Sequence, residues 1–321
     1  MIESGHGTDE VRRVPVYSLY SETREPTAEM LKGLDVLVID LQDVGARIYT
    51  FVYTMANCLR AAARHRVPVV VCDRPNPIGG VSVEGPMLEP GFESFVGLFP
   101  VPMRHGMTIG ELAVLFNTSF GIGADLRIVE MEGWSRDMYF DETGLPWVIP
   151  SPNMPTLDTA IVYPGAVLFE GTQLSEGRGT TRPFELLGAP WIDAERAAGH
   201  LNALGLAGVR FRPVSFEPTF HKFAHESCGG CQIHVTDRRA FCPVLAAVAV
   251  MAEFHRADPR RFAWRQPPYE YEHDKMPIDI LAGSPALRGQ IEAGTAVREI
   301  AASWDGPVAA FDATRRACFR Y

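Results

Sequence analysis

The sequence lacks any apolar run approaching the roughly 18 residues a membrane-spanning helix needs. Its opening segment, Met1 to Arg13, is polar and has no apolar centre of the signal-peptide kind, which read alone implies retention in the cytoplasm. It also lacks a basic surplus: 30 Lys+Arg against 39 Asp+Glu give a formal charge of -9. The arginines are scattered among acids, so no stripe exists for a phosphate backbone, and no nucleic-acid partner is expected. There is no G-x-S-x-G elbow, P-loop or H-E-x-x-H, and Gly79-Gly80 does not complete G-x-G-x-x-G. Serine-hydrolase, phosphoryl-transfer, zincin and dinucleotide readings therefore have no anchor, and no cofactor is implied. Cysteine is sparse, at six residues. Cys58 and Cys72 fall in helix-like and strand-like patterns and read as small buried residues. Cys228 and Cys231 lie in His221-x3-His225-x2-Cys228-x2-Cys231-x2-His234, which fits either a zinc site or a plain glycine turn entering a strand.

What is present is ordinary globular composition, 46% hydrophobic and 21% charged. Asp35 to Asp40 and Pro68 to Asp73 are short continuous apolar runs, each ending in aspartate, as parallel strands buried on both faces require. Helical spacing from Tyr49 to His65 joins them into a βαβ unit. Pro26 to Leu31 reads as a short helix, Thr108 and Glu111 as a capping box opening another, and Leu126 to Met131 as the next strand. The proline-rich stretch from Pro146 to Pro164 reads as a long ordered loop. Beyond it the pattern expects a helix from Asp193 to Leu204 and strands at Val209–Pro213 and Gln232–Thr236. A helix at Phe241–His255 and starts at Ser284 and Thr295 complete it. The expected fold class is α/β: a Rossmann-like, largely parallel domain over 1–150, incomplete at its start, then a smaller α+β domain over 151–321 contributing to the cleft.

In open parallel sheets ligands sit beyond the carboxyl ends of the strands. There the sequence places Asp40, Gln42 and Asp43 after the first run, and Asp73, Arg74 and Asn76 after the second. Each alone is also a common turn former. Glu84, Arg104 and His105 follow. The densest polar segment runs from Glu170 through Glu176 and Arg178 to Thr181, with three glycines that let backbone approach a ligand. Carboxylates, amides and arginine beside aromatic residues suit a sugar, and glycoside cleavage commonly uses a carboxyl pair.

DVLVIDLQDVGARIYT, CDRPNPIGG with VEGP, PMRHGMTIGELA, PWVIPSPNMPT and EGTQLSEGRGTTRPFELLGAPW stand in order along the chain. From about Val14 to Tyr321 the sequence resembles the family long labelled DUF1343, associated with NamZ-type exo-β-N-acetylmuramidases. The resemblance implies exo-acting removal of a terminal β-linked N-acetylmuramic acid from peptidoglycan fragments, in a cleft between a Rossmann-like and a smaller domain. It implies a muropeptide or amino-sugar substrate, cell-wall recycling, and work at or outside the cell envelope. Glu170, Glu176 and Asp43 take the catalytic positions. Asp40, Gln42, Arg74, Asn76, Glu84, Arg104, His105, Asn153 and Arg178 take the substrate-binding positions, with Arg178 or Arg104 expected to hold the lactyl carboxylate. No metal is assigned. The family pattern opens with a strand and a second strand ending in Pro-Glu-His-Gly, whose glutamate is the expected acid, and this sequence shows neither. Two expectations follow: a start lying further upstream, or a shortened homologue with an exposed sheet edge. The alternative function is a muropeptide-binding protein with impaired catalysis.

Overall fold

A computed structural model describes residues 5–321. β1 (Gly7–Asp9) and β2 (Val14–Val16) pair as an antiparallel hairpin. α1 (Ala28–Leu31), capped by the Thr27 hydroxyl, leads into β3 (Leu37–Ile39), and α2 (Phe51–His65) crosses over to β4 (Val69–Cys72). β5 (Glu84–Met87) pairs antiparallel with β6 (Pro102–Arg104). α3 (Ile109–Thr118) then leads to β7 (Leu126–Val129). The expected capping box is formed, with Thr108 accepting from Glu111 N–H and the Glu111 carboxylate accepting from Thr108 N–H.

β3, β4 and β7 form a parallel sheet in the order β3-β4-β7. Its buried face carries Ile39, Val69 and Val71 against Val52, Met55 and Leu59 of α2 and Leu112 and Phe116 of α3. Each large side chain buried there contributes about 1.5–3 kcal/mol. The opposite face is more open, with Val38 at 56% and Val129 at 46% exposure.

The second half begins with α4 (Leu157–Ala166), which runs on into a 3-10 turn, Val167–Gly171. The long loop expected up to Pro164 therefore stops at Thr156, whose hydroxyl caps α4. Proline 164 sits in the last helical turn, where its missing N–H removes one intrahelical bond. Packing outweighs that loss: α4 is buried against α6, so tightly that a Cβ on Gly165 would collide with the Pro243 carbonyl. β8 (Leu186–Ala189), α5 (Ala194–Ala203), β9 (Val209–Phe216) and β10 (Cys228–Val235) follow, giving an antiparallel sheet in the order β8-β10-β9. α6 (Pro243–Ala257), α7 (Pro277–Ala282), α8 (Ala286–Glu292), α9 (Val297–Ala302) and α10 (Asp305–Arg315) complete the chain. Neither Ser284 nor Thr295 is the capping residue; α8 and α9 start after Pro285 and Ala296.

The Cys228-Gly-Gly-Cys231 stretch is part of β10 and not a turn. Its glycines let neighbouring backbone close in, since a Cβ on Gly229 would strike Ile192 O and one on Gly230 would strike Leu187 O. Both cysteines are buried, and among the described residues no group of three or more His, Cys, Asp or Glu side chains could hold a metal ion. Nor is any described helix long and apolar enough to cross a membrane.

The last elements return to the first half. Arg315 donates to Gly80 O, Val81 O and Gly106 O, and the Tyr321 hydroxyl donates to Asp73 at 2.9 Å. Asp73 in turn accepts from Thr108 and from Gly110 N–H at the start of α3. The chain's own C-terminal side chain thus contacts the carboxyl end of β4.

Candidate active site

The polar residues after β3 and β4 divide by burial. Asp40 and Arg74 are about half exposed and form a two-point ion pair, Nε–Oδ1 2.5 Å and Nη2–Oδ2 3.0 Å. Gln42 ties the two loops together by donating to Asp43 O at 2.7 Å and Pro75 O at 2.9 Å. Asn76 is buried and structural: Nδ2 donates to Met107 O and Oδ1 accepts from Ile78 N–H. Asp43 is 3% exposed; its Oδ2 accepts from Gly45 N–H at 2.7 Å and lies 3.1 Å from His105 Nε2. His105 Nδ1 accepts from Met107 N–H, and its buried Nε2, despite the short separation from Asp43, makes no aligned hydrogen bond among the described residues. Among the described residues Asp43 Oδ1 has no hydrogen-bond partner.

A second cluster forms in the other half. The 3-10 turn Val167–Gly171 presents Glu170, and the glycine-rich loop after it presents Glu176 and Arg178. Arg178 bridges the two acids, with Nη2 2.7 Å from Glu170 Oε1 and Nη1 3.0 Å from Glu176 Oε1. Glu170 Oε2 accepts from the Tyr269 hydroxyl at 2.7 Å. Glu176 is fully buried, and Lys222 Nζ donates to it at 2.8 Å while His221 Nδ1 lies 3.1 Å away. Burial opposes its charge, but the His221 hydrogen bond and the Lys222 and Arg178 charges hold its carboxyl far below the usual range. Burial pulls the Lys222 amine down, and Glu176 offsets part of that.

Lys222 and His221 were not among the expected site residues; His221 entered only through the zinc reading. They arrive on a loop in which His221, Phe223 and His225 have φ values of +74°, +56° and +64°. Such left-handed conformations are costly for bulky residues and cluster where surrounding structure imposes a geometry. Thr219 anchors that loop to Gly179 O through both its N–H and its hydroxyl. Tyr49 spans the two clusters: burial raises its hydroxyl, Asp43 lies near enough to add to the shift, and its ring packs edge-on against Tyr163 at 6.0 Å. Tyr163 in turn feels the charge of Glu170. Asn153 lies in the turn at residues 151–154, next to Ser151, which borders Tyr49.

Arg104 directly precedes His105 and pairs with Ala46, and Glu84 lies opposite it. They face each other across β5 and β6, and Glu84 Oε1 accepts from Leu245 N–H at 2.8 Å, capping α6 where Cys242 makes no side-chain cap. Burial pushes the Glu84 carboxyl up to about 7, against the pull of the Leu245 hydrogen bond and of Arg104. Arg104 donates to Ile78 O at 2.6 Å and is 4% exposed. Arg47, wholly buried, donates to Leu281 O at the carboxyl end of α7. An acid at one helix N-terminus and a base at another's C-terminus complement both dipoles and join the halves. Arg178 directs both terminal nitrogens at Glu170 and Glu176, while Arg104 bonds through Nη2 and its buried Nε has no hydrogen-bond partner among the described residues.

Comparison with known proteins follows the same division of the chain. The family model described as exo-beta-N-acetylmuramidase NamZ, N-terminal, matches residues 1–158, and its C-terminal counterpart matches residues 161–321. The peptidoglycan beta-N-acetylmuramidase NamZ of Bacillus subtilis (strain 168) is 49% identical over 314 residues, 98% of this chain and 74% of that protein. Two crystal structures of DUF1343 family proteins from Bacteroides fragilis NCTC 9343 are similar over 98% of this chain and 82% of theirs. One has a TM-score of 0.88 at 35% identity, the other 0.75 at 26%.

Proposed function

The chain belongs to the NamZ exo-β-N-acetylmuramidase family, and on that premise we propose how its residues serve the reaction. The protein is a glycosidase of peptidoglycan fragments that removes terminal β-linked N-acetylmuramic acid. The observation that supports the assignment of roles is the contrast between two neighbouring glutamates on one arginine. Glu176 is sealed under Arg178, Lys222 and His221 and serves as a fixed anion that holds the Arg178 and Lys222 cations in place. Glu170 keeps 12% of its side chain exposed, with each oxygen oriented by one donor. It is the carboxylate placed to act on substrate, either as base toward water or as partner of the developing positive charge at the anomeric carbon.

Asp43 supplies the second carboxyl. His105 packs against it, with Nε2 3.1 Å from Asp43 Oδ2, and Asp43 Oδ1 has no hydrogen-bond partner among the described residues. Asp40 and Arg74, more exposed, are placed for sugar hydroxyls at the sheet's edge of the site. Gln42, Asn76, Glu84 and Arg104 act as positioning residues through the backbone contacts above.

The test is release of sugar from a chromogenic β-N-acetylmuramide. Wild type should release the chromophore, and Glu170→Gln should lower kcat by about 10²-fold or more while remaining folded. Full activity in Glu170→Gln would overturn the assignment. Substrate binding by the wild type without any release would identify a muropeptide-binding protein instead.

A further inference from the structure

A carboxylate acts on substrate only from a turn that holds still, and the two sides of the turn carrying Glu170 are held differently. On one side, Gly171 O accepts from Arg265 N–H at 2.9 Å, and a Cβ on Gly171 would meet Ile278 Cα at 2.6 Å. That support is backbone against backbone. On the other side, the peptide group joining Phe169 to Glu170 is held through its oxygen. Phe169 O accepts from Lys222 Nζ at 2.8 Å, from the Thr172 hydroxyl at 2.9 Å and from Thr172 N–H at 3.0 Å.

Lys222 reaches beyond this one bond. Its Nζ also donates to Leu174 O at 3.0 Å and to Glu176 Oε2 at 2.8 Å. Three acceptors use all three N–H bonds of an ammonium, whereas a neutral amine has only two. The cation is therefore the form that fits, although burial opposes it. Its partners come from both ends of the segment 169–176, so one nitrogen ties the residue before Glu170 to the stretch that follows it. The side chain is only 12% exposed, which limits competition from water for these bonds.

The loop that brings Lys222 is itself fixed. Lys222 stands between His221 and Phe223, whose φ values of +74° and +56° are left-handed. The Thr219 hydroxyl donates to Gly179 O at 2.8 Å, and His225 N–H donates to Pro218 O at 2.8 Å. The ammonium is delivered from braced backbone, the condition under which a supporting side chain sets its neighbour's geometry.

We propose that Lys222 is a positioning residue for the reaction: its ammonium closes the segment 169–176 and fixes the peptide plane from which Glu170 is presented. Its three bonds go to Phe169 O, Leu174 O and Glu176, so it acts on Glu170 through the backbone. The proposal rests on the role given to Glu170 above.

Two variants test it. Lys222→Met removes the ammonium, and Lys222→Arg keeps the charge beside Glu176 but offers a planar fork in place of three diverging N–H bonds. On a chromogenic β-N-acetylmuramide each should lower kcat by about 10- to 100-fold, with KM within about twofold of wild type. Adding either change to Glu170→Gln should lower kcat no further, because Lys222 acts through Glu170. Losses that multiply in the double variant would overturn the proposal, since a merely structural role adds its damage to that of Glu170→Gln. Wild-type kcat in Lys222→Arg would overturn it as well, and this variant decides if Lys222→Met does not fold. If wild type releases no sugar, or Glu170→Gln is fully active, the reading of Glu170 fails by itself. Hydrogen exchange then judges Lys222. The Thr172 and Leu174 amides, bonded to Phe169 O and Thr172 Oγ1, should exchange about tenfold faster in Lys222→Arg, and unchanged rates would overturn the proposal.

Discussion

Glu84→Gln removes one buried charge from the joint between the halves while keeping an oxygen to accept from Leu245 N–H. Burial raises this carboxyl from an ordinary 4.5 to about 7, so the folded protein holds the proton more tightly than the unfolded chain. Its contribution to stability is therefore fully favourable below about pH 4.5 and is lost as pH rises through 7. At about 1.4 kcal/mol per pH unit, the ionised side chain costs the native state about 3 kcal/mol at pH 8 relative to pH 4.5. Glutamine does not titrate. The unfolding free energy of Glu84→Gln minus that of wild type should accordingly become more positive by about 3 kcal/mol between pH 4.5 and pH 8. Urea unfolding curves at the two pH values, with m-values checked for constancy, measure the difference directly. A difference between variant and wild type that stays the same at both pH values would refute the reasoning, because it would mean that Glu84 keeps an ordinary carboxyl in the fold.

Other outcomes are as specific. Glu176→Gln leaves Arg178 and Lys222 without their shared anion and should destabilise by about 3–5 kcal/mol in denaturant titration, whereas Glu170→Gln should cost activity far more than stability. Gly230→Ala forces a methyl onto Leu187 O across β8 and β10 and should cost about 1–3 kcal/mol or more, read as a lowered thermal midpoint. Thr108→Ala breaks the capping box of α3 and should cost about 1 kcal/mol by the same assay. In the native protein a thiol reagent should label Cys242, which is exposed, well before Cys228 and Cys231, whose thiols are buried and pushed up by that burial. Equal labelling rates would contradict the placement of both cysteines inside β10.

Much of the fold was legible because the signals are local. The apolar runs ending in Asp40 and Asp73 predict parallel strands, and β3 and β4 lie where those runs do. Thr108 and Glu111 cap α3 through contacts three residues apart, as their spacing implies. Asp193 caps α5 for the same reason. Where two local signals conflicted, packing decided. Pro164 argued for a loop, yet α4 holds because it is buried on α6, and the glycines between Cys228 and Cys231 argued for a turn although neighbouring backbone needs their missing side chains.

The sequence by itself determined the strand and helix segments, the family motifs and the density of acid and arginine around Glu170. Those depend on hydrogen-bond periodicity, caps and residue type within a few positions. Only the tertiary structure decided which polar residues act together. Lys222 and His221 reach Glu176 from 46 and 45 residues away through a strained loop that no spacing rule anticipates. Glu84 carries a motif position yet caps α6 of the other half, while Arg104 opposite it bonds Ile78 O within its own half. Charge partners are selected by proximity in a desolvated interior, and proximity is a property of the packed chain.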